Sequence, residues 1–184
     1  MRLLENASRI ALLVAFTVAP AAAQEPPMPK PGPEHEVLKM DVGTWDAVVE
    51  FIPAPGAPPI TSKGVEVNTL GCGGLCLISD FKGEAMGAPF HGHGISVWDA
   101  AKKKYTGSWT DSMSTGITAG EHTLDPATKK LTGWMEGPDM TGKTTKSRVV
   151  VDYKADGGRV MTSYGPGPDG KEMQTMKITY TRRK

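Results

Sequence analysis

The stretch PFHGHGISVWDAAKKKYTGSWTDSMSTG, residues 89–116, places two alternating segments on either side of a lysine-rich turn. Alternation of period two over consecutive short segments reads as a β-hairpin. A slip of one residue would exchange its two faces, so the register carries the argument. A five-residue turn, Asp99 to Lys103, pairs Val97 with Tyr105, Ile95 with Gly107, His93 with Trp109 and His91 with Asp111. That register gathers every large apolar side chain except Trp98 and Phe90 on one face and leaves Lys104, Thr106, Ser108 and Thr110 to solvent. It predicts that His91, His93 and Asp111 point inward with the core. The alternative register sets Trp109 among the glycines and spreads the apolar residues over both faces.

The rest of the chain repeats the same grammar. Ten strands are predicted, at 44–52, 61–70, 76–82, 90–98, 104–111, 115–122, 129–136, 144–153, 159–164 and 172–181. Turn chemistry separates most of them: Pro53 to Pro59, Gly71 to Gly74, Asp125-Pro126, Pro138 to Gly142, Asp156 to Gly158 and Gly165 to Gly170. Gaps this short make neighbouring strands antiparallel. A meander of that many strands curls or closes, because a long open sheet exposes its edges. Ahead of them, Glu34 to Met40 reads as one or two helical turns, with Pro33 at the first position and Glu34 and Glu36 at the positive helix end. The fold class expected is all-β, an antiparallel up-and-down barrel of about ten strands with one short N-terminal helix.

Cys72 and Cys76 are the only cysteines. A three-residue turn, Gly73 to Leu75, sets them opposite each other, groups Val65, Val67, Leu77 and Phe81 on one face and pairs Glu66 with Lys82. A disulfide is the expectation if the chain meets an oxidising compartment, the alternative being two small apolar residues beside a turn. No second cysteine pair exists to build a zinc site.

Compartment is read from the first residues. Arg2 and Arg9 precede the apolar run Ile10 to Val18, and Ala21-Ala22-Ala23 offers a small-residue cleavage site, the pattern of a secretory signal peptide at 1–23. The run is too short to span a bilayer. A proline-rich leader at 24–33 reads as an extended tether, followed by a single domain at 34–184. A periplasmic or secreted location follows, with no membrane insertion after cleavage. Removing 1–23 takes away two arginines and Glu5, so Lys+Arg and Asp+Glu balance. A neutral chain without a basic block argues against nucleic acid or an anionic membrane as partner.

A series of blocks stands in order along the chain: Pro31-Gly32-Pro33-Glu34-His35, Gly43-Thr44-Trp45, Lys82-Gly83, Met86-Gly87, Pro89-Phe90, Trp109 with Asp111 to Gly116, Gly165 with Gly167 to Lys171, and Ile178-Thr179-Tyr180. Gly43-Thr44-Trp45 after a short helix resembles the first-strand Gly-X-Trp of lipocalin-type barrels, in which an arginine of the last strand, here Arg182, stacks over the tryptophan. Together the blocks resemble the bacterial family known as domain of unknown function 1579, over nearly the whole chain after the leader. That resemblance implies a lipocalin-like or calycin-like barrel and no established activity. The chain departs from the family pattern at positions 91 and 93, which more often carry an acid and an arginine, and in its two cysteines.

A barrel of this size is either filled by side chains or holds one small ligand. The residues expected to line a lumen are Trp45, Tyr105 and Trp109, with Ile95 and Val97, and the expected orienting groups are His91, His93, Asp111, Ser112, Ser114 and Arg182. Few polar groups on apolar walls suit a small apolar or amphipathic molecule. His91 and His93, two apart on a strand with Asp111 opposite, also have metal-ligand chemistry, and Met86, Met113, Met135, Met161, Met173 and Met176 add soft donors, but no complete ligand set emerges. No metal or cofactor is therefore assigned. The Asp111 to Ser114 cluster with a histidine allows a hydrolase reading; a Ser/Thr/Asp turn that caps its own backbone, and a filled-core interaction module, are the alternatives.

Overall fold

The computed structural model describes residues 28–139 and 141–184. The expected signal peptide and the first part of the leader lie outside these residues. Helix α1 (His35–Asp41) leads into ten strands: β1 (Gly43–Phe51), β2 (Ile60–Gly71), β3 (Cys76–Ala85), β4 (Ala88–Asp99), β5 (Lys104–Asp111), β6 (Thr118–Asp125), β7 (Lys130–Pro138), β8 (Thr144–Tyr153), β9 (Arg159–Pro166) and β10 (Glu172–Arg182). Each strand pairs antiparallel with the next, and β10 returns to β1, closing the barrel. Closure satisfies both edges that an open sheet would expose. The all-β, ten-stranded architecture is the one expected, and predicted strand limits fall within a few residues of those observed.

Up-and-down connectivity gives the barrel two unlike ends. Helix α1 packs across one, pressing Val37 and Leu38 onto Leu77 and Tyr105, with Trp98, Leu124 and Leu131 around them. The other is bordered by the hairpin loops that follow β1, β3, β5, β7 and β9. A second apolar cluster, Trp45, Ala47, Phe81, Ile178 and Tyr180, fills one side of the interior, with Val49, Phe90, Trp109, Met161 and Met176 packed against it.

The β4–β5 register differs from expectation by one residue. Trp98 pairs with Tyr105, Gly94 with Trp109 and Gly92 with Asp111. Two causes are visible. Asp99 Oδ1 accepts from the backbone N–H of both Ala101 and Lys102 at 3.0 Å, and Lys103 takes a left-handed φ of 53°, which closes the turn one residue tighter. The Trp109 ring then lies over Gly92 and Gly94, where any larger residue would collide with it. His91, His93, Ile95 and Val97 consequently face outward, which corrects their expected inward placement, whereas Tyr105, Trp109 and Asp111 do face in.

The cysteine hairpin shows the same one-residue difference. Cys72 and Cys76 are joined by a disulfide with Cα atoms 5.6 Å apart, as expected. The pairing, however, is Gly71 with Cys76 and Glu66 with Phe81, the 3₁₀ turn Cys72–Gly74 taking the extra residue. Glu66 and Asn68 therefore point into the barrel, and Val65 and Val67 point away. Burying an acid and an amide in place of two valines needs compensating partners, and the fold supplies them.

Candidate functional site

Beneath α1 the interior is polar. Arg159, at the start of β9, is buried with Glu66 and Asn68. Its guanidinium bonds Glu66 Oε1 through Nη2 and lies 3.1 Å from Asp41 Oδ1 through Nη1. It also rests on two rings, 4.3 Å from the centre of Trp45 and 4.1 Å from that of Tyr180. Asn68 Nδ2 donates to Glu66 Oε1 at 2.8 Å and to the Asp41 carbonyl at 3.0 Å, and Tyr153 Oη donates to Asp41 Oδ2 at 3.0 Å. Burial raises the pKa of Asp41, against the opposing pull of Arg159. Burial likewise disfavours the charge on Arg159, but Asp41 and Glu66 outweigh it and hold the guanidinium protonated. Burial, then the neighbouring acids, push the Tyr153 and Tyr180 hydroxyls up as well.

These contacts fasten the helix to the barrel. The Asp41 carbonyl also accepts from Trp45 Nε1 at 2.8 Å, and Tyr105 Oη donates to the Glu34 carbonyl at 2.9 Å. Arg182 donates to the carbonyls of Val42 and Met40 at 2.6 and 2.9 Å while its guanidinium sits 4.2 Å from the Trp45 ring centre. The arginine-over-tryptophan stack implied by the lipocalin resemblance is thus present, and Arg159 adds a second cation to the same ring. Trp45 and Arg182 serve the closed end, where their polar groups are already occupied.

Above this floor the inner face changes character. Small residues recur on it, including Gly107, Gly120, Gly133 and Gly137 on β5 to β7 and Ser147 and Ser163 on β8 and β9, by the alternation of the paired strands. Val49, Phe90, Trp109, Met161 and Met176 are only partly buried although they point inward. Solvent therefore reaches inward apolar side chains. His122 joins this wall: it pairs with Tyr105 on one side and Gly133 on the other, and burial pulls its pKa below the usual imidazole value.

At the open rim, the serine and aspartate cluster is committed to its own loop. Asp111 accepts from Trp109 Nε1 and from the Met113 N–H, both at 2.9 Å. Ser112 Oγ accepts from the His91 backbone N–H at 3.2 Å, and Ser114 Oγ accepts from the Gly116 N–H at 3.2 Å. His93 pairs with Asp80 on the outer wall. His91 and His93 lie on the opposite side of the sheet from Asp111, so neither a hydrolytic triad nor a metal set assembles from these residues. Two open concavities also lie on the outer wall, one of about 340 Å³ beside Ile95, Val97 and Trp134, the other of about 580 Å³ beside Lys63, Lys82 and Arg183. Both are walled by outward side chains, with the inward glycines Gly107 and Gly120 in the first and Gly64 and Gly83 in the second adding only backbone.

Reading the sequence for hydrophobic faces misses Asp41, Glu66, Asn68, Tyr153, Arg159 and His122. The available signal was Arg159 itself, one basic residue entering the apolar run Val160-Met161 and needing an acidic partner.

Comparison with curated proteins gives no match. Among solved structures, a redesigned beta barrel is similar at 14% identity and a TM-score of 0.40, over 80% of this chain and 96% of that one. A family model described as protein of unknown function, DUF1579, matches residues 30–182. With that match spanning the helix and all ten strands, the chain belongs to the DUF1579 family.

Proposed function

We propose that the protein is exported to the periplasm or beyond the cell, and that its barrel holds a small, mostly apolar or amphipathic molecule. The observation that carries this reading is the unlike treatment of the two halves of the interior. Partly accessible apolar side chains occur in both halves, but the half under α1 is capped by the helix and carries the Asp41, Glu66 and Arg159 charges, whereas the half toward the loops sets inward Val49, Phe90, Trp109, Met161 and Met176 on an uncapped, largely apolar wall. Apolar side chains exposed on a concave inner surface gain by covering themselves with a ligand, at roughly 25 cal/mol per Å² of apolar surface removed from water. Tyr105, Trp109 and Asp111 lie on that inner face, with Trp109 nearest the partly accessible apolar group. Export is supported by the amino-terminal pattern and accords with the disulfide.

The test is to express the full precursor, establish where the processed chain accumulates and compare its native with its denatured mass. The expected result is a chain cut after Ala23 that carries additional mass lost on denaturation. A bare chain that also fails to take up the neutral fluorophore N-phenylnaphthylamine would overturn the binding reading. Retention of the uncut chain in the cytoplasm would overturn export.

A further inference from the structure

We propose that His122 orients the bound molecule, and that this molecule is a neutral, largely apolar compound bearing a hydroxyl group. The inference rests on the lumen reading above and adds the ligand's chemistry. Apart from the small serine and threonine hydroxyls, the larger inward polar side chains besides His122 are committed: Arg159 to Asp41 and Glu66, Tyr153 to Asp41, Tyr105 to the Glu34 carbonyl, and Asp111 to Trp109 and Met113. The His122 side chain makes no hydrogen bond among the described residues, although it faces inward and is partly buried.

Its setting leaves the imidazole free for a ligand. On β7 its partner is Gly133, which has no side chain to cover that flank. A side chain on Gly120 would meet both Met135 Cγ, at 2.9 Å, and His122 Cε1, at 3.2 Å, so the thioether arm and the imidazole edge converge over one bare point of the wall. A polarisable apolar surface thus adjoins one polar group. Burial favours the neutral ring, which offers one N–H donor and one acceptor nitrogen. A hydroxyl matches that pair and carries no charge. A carboxylate would instead bring an uncompensated charge to an apolar wall, since the committed Arg159 is already balanced by two acids.

Naphthalene, naphthol and methoxynaphthalene test this by titration against intrinsic fluorescence. Wild-type protein should bind naphthol about fivefold more tightly than naphthalene, the increment of one net hydrogen bond. Methoxynaphthalene, which keeps the oxygen and loses the O–H, should bind no more tightly than naphthalene. In His122→Phe the naphthol preference should vanish while naphthalene still binds; His122→Leu serves if the phenylalanine variant does not fold. Equal affinity for naphthol and naphthalene in the wild type, or an unchanged preference in a folded variant, would overturn the role of His122 and leave the lumen reading standing. Binding of none of the three would overturn both.

Discussion

The Trp109 ring lies across the β4–β5 pair directly over Gly92: a Cβ at that glycine would sit 2.1 Å from Trp109 Cζ2, and one at Gly94 would sit 3.0 Å from Cε3. The alternating glycines are a slot for the indole, which reaches the Phe81 and Phe90 cluster while its Nε1 donates to Asp111. Gly92→Ala should therefore destabilise the protein by about 1–3 kcal/mol through overpacking, and Gly94→Ala by less. Urea denaturation monitored by tryptophan fluorescence checks the order. Near-wild-type stability of Gly92→Ala would put the ring elsewhere.

Removing Arg159 leaves Asp41 and Glu66 buried without their shared cation. Arg159→Met should cost about 3–5 kcal/mol near neutral pH, the range for breaking a buried ion pair from one side. The loss should shrink on acidification. Asp41 has a folded-state pKa above its ordinary value of 3.8, so protonation favours the fold, and ionised Asp41 becomes more costly as pH rises through that folded-state pKa. Urea titrations of both proteins at several pH values read this directly; a deficit independent of pH would show that the acids do not respond to the arginine.

His122 has the opposite pH signature. Its folded-state pKa is depressed by burial, so its contribution is full above the unfolded imidazole value of about 6.5 and is lost as pH falls through the folded-state value. Wild type should lose stability relative to His122→Gln over that descent. Parallel curves for the two proteins would mean that the imidazole is more hydrated than its position on the inner wall implies.

The disulfide closes a loop with a sequence separation of 4. Constraint of so short a loop in the unfolded chain is worth about 2 kcal/mol. Reduced protein should unfold at lower urea by roughly that margin, with the barrel intact by circular dichroism. A collapse of β-structure on reduction would show that the link holds more than the turn between β2 and β3.

The sequence alone determined the helix, the ten strands and their antiparallel order, because turn chemistry and period two are local properties. It also made the disulfide an expectation, since Cys72 and Cys76 are four residues apart beside a glycine turn, and the structure shows the bond. Only the tertiary structure decided which face of each strand turns inward. In β4 the large apolar residues Ile95 and Val97 yield the interior to Gly92 and Gly94 because Trp109, on another strand, needs their space. In β2 the valines yield it to Glu66 and Asn68 because Arg159, far along the chain, needs an acid beneath α1. Alternation marks two faces without saying which is inner; steric fit and buried charge between distant residues settle that.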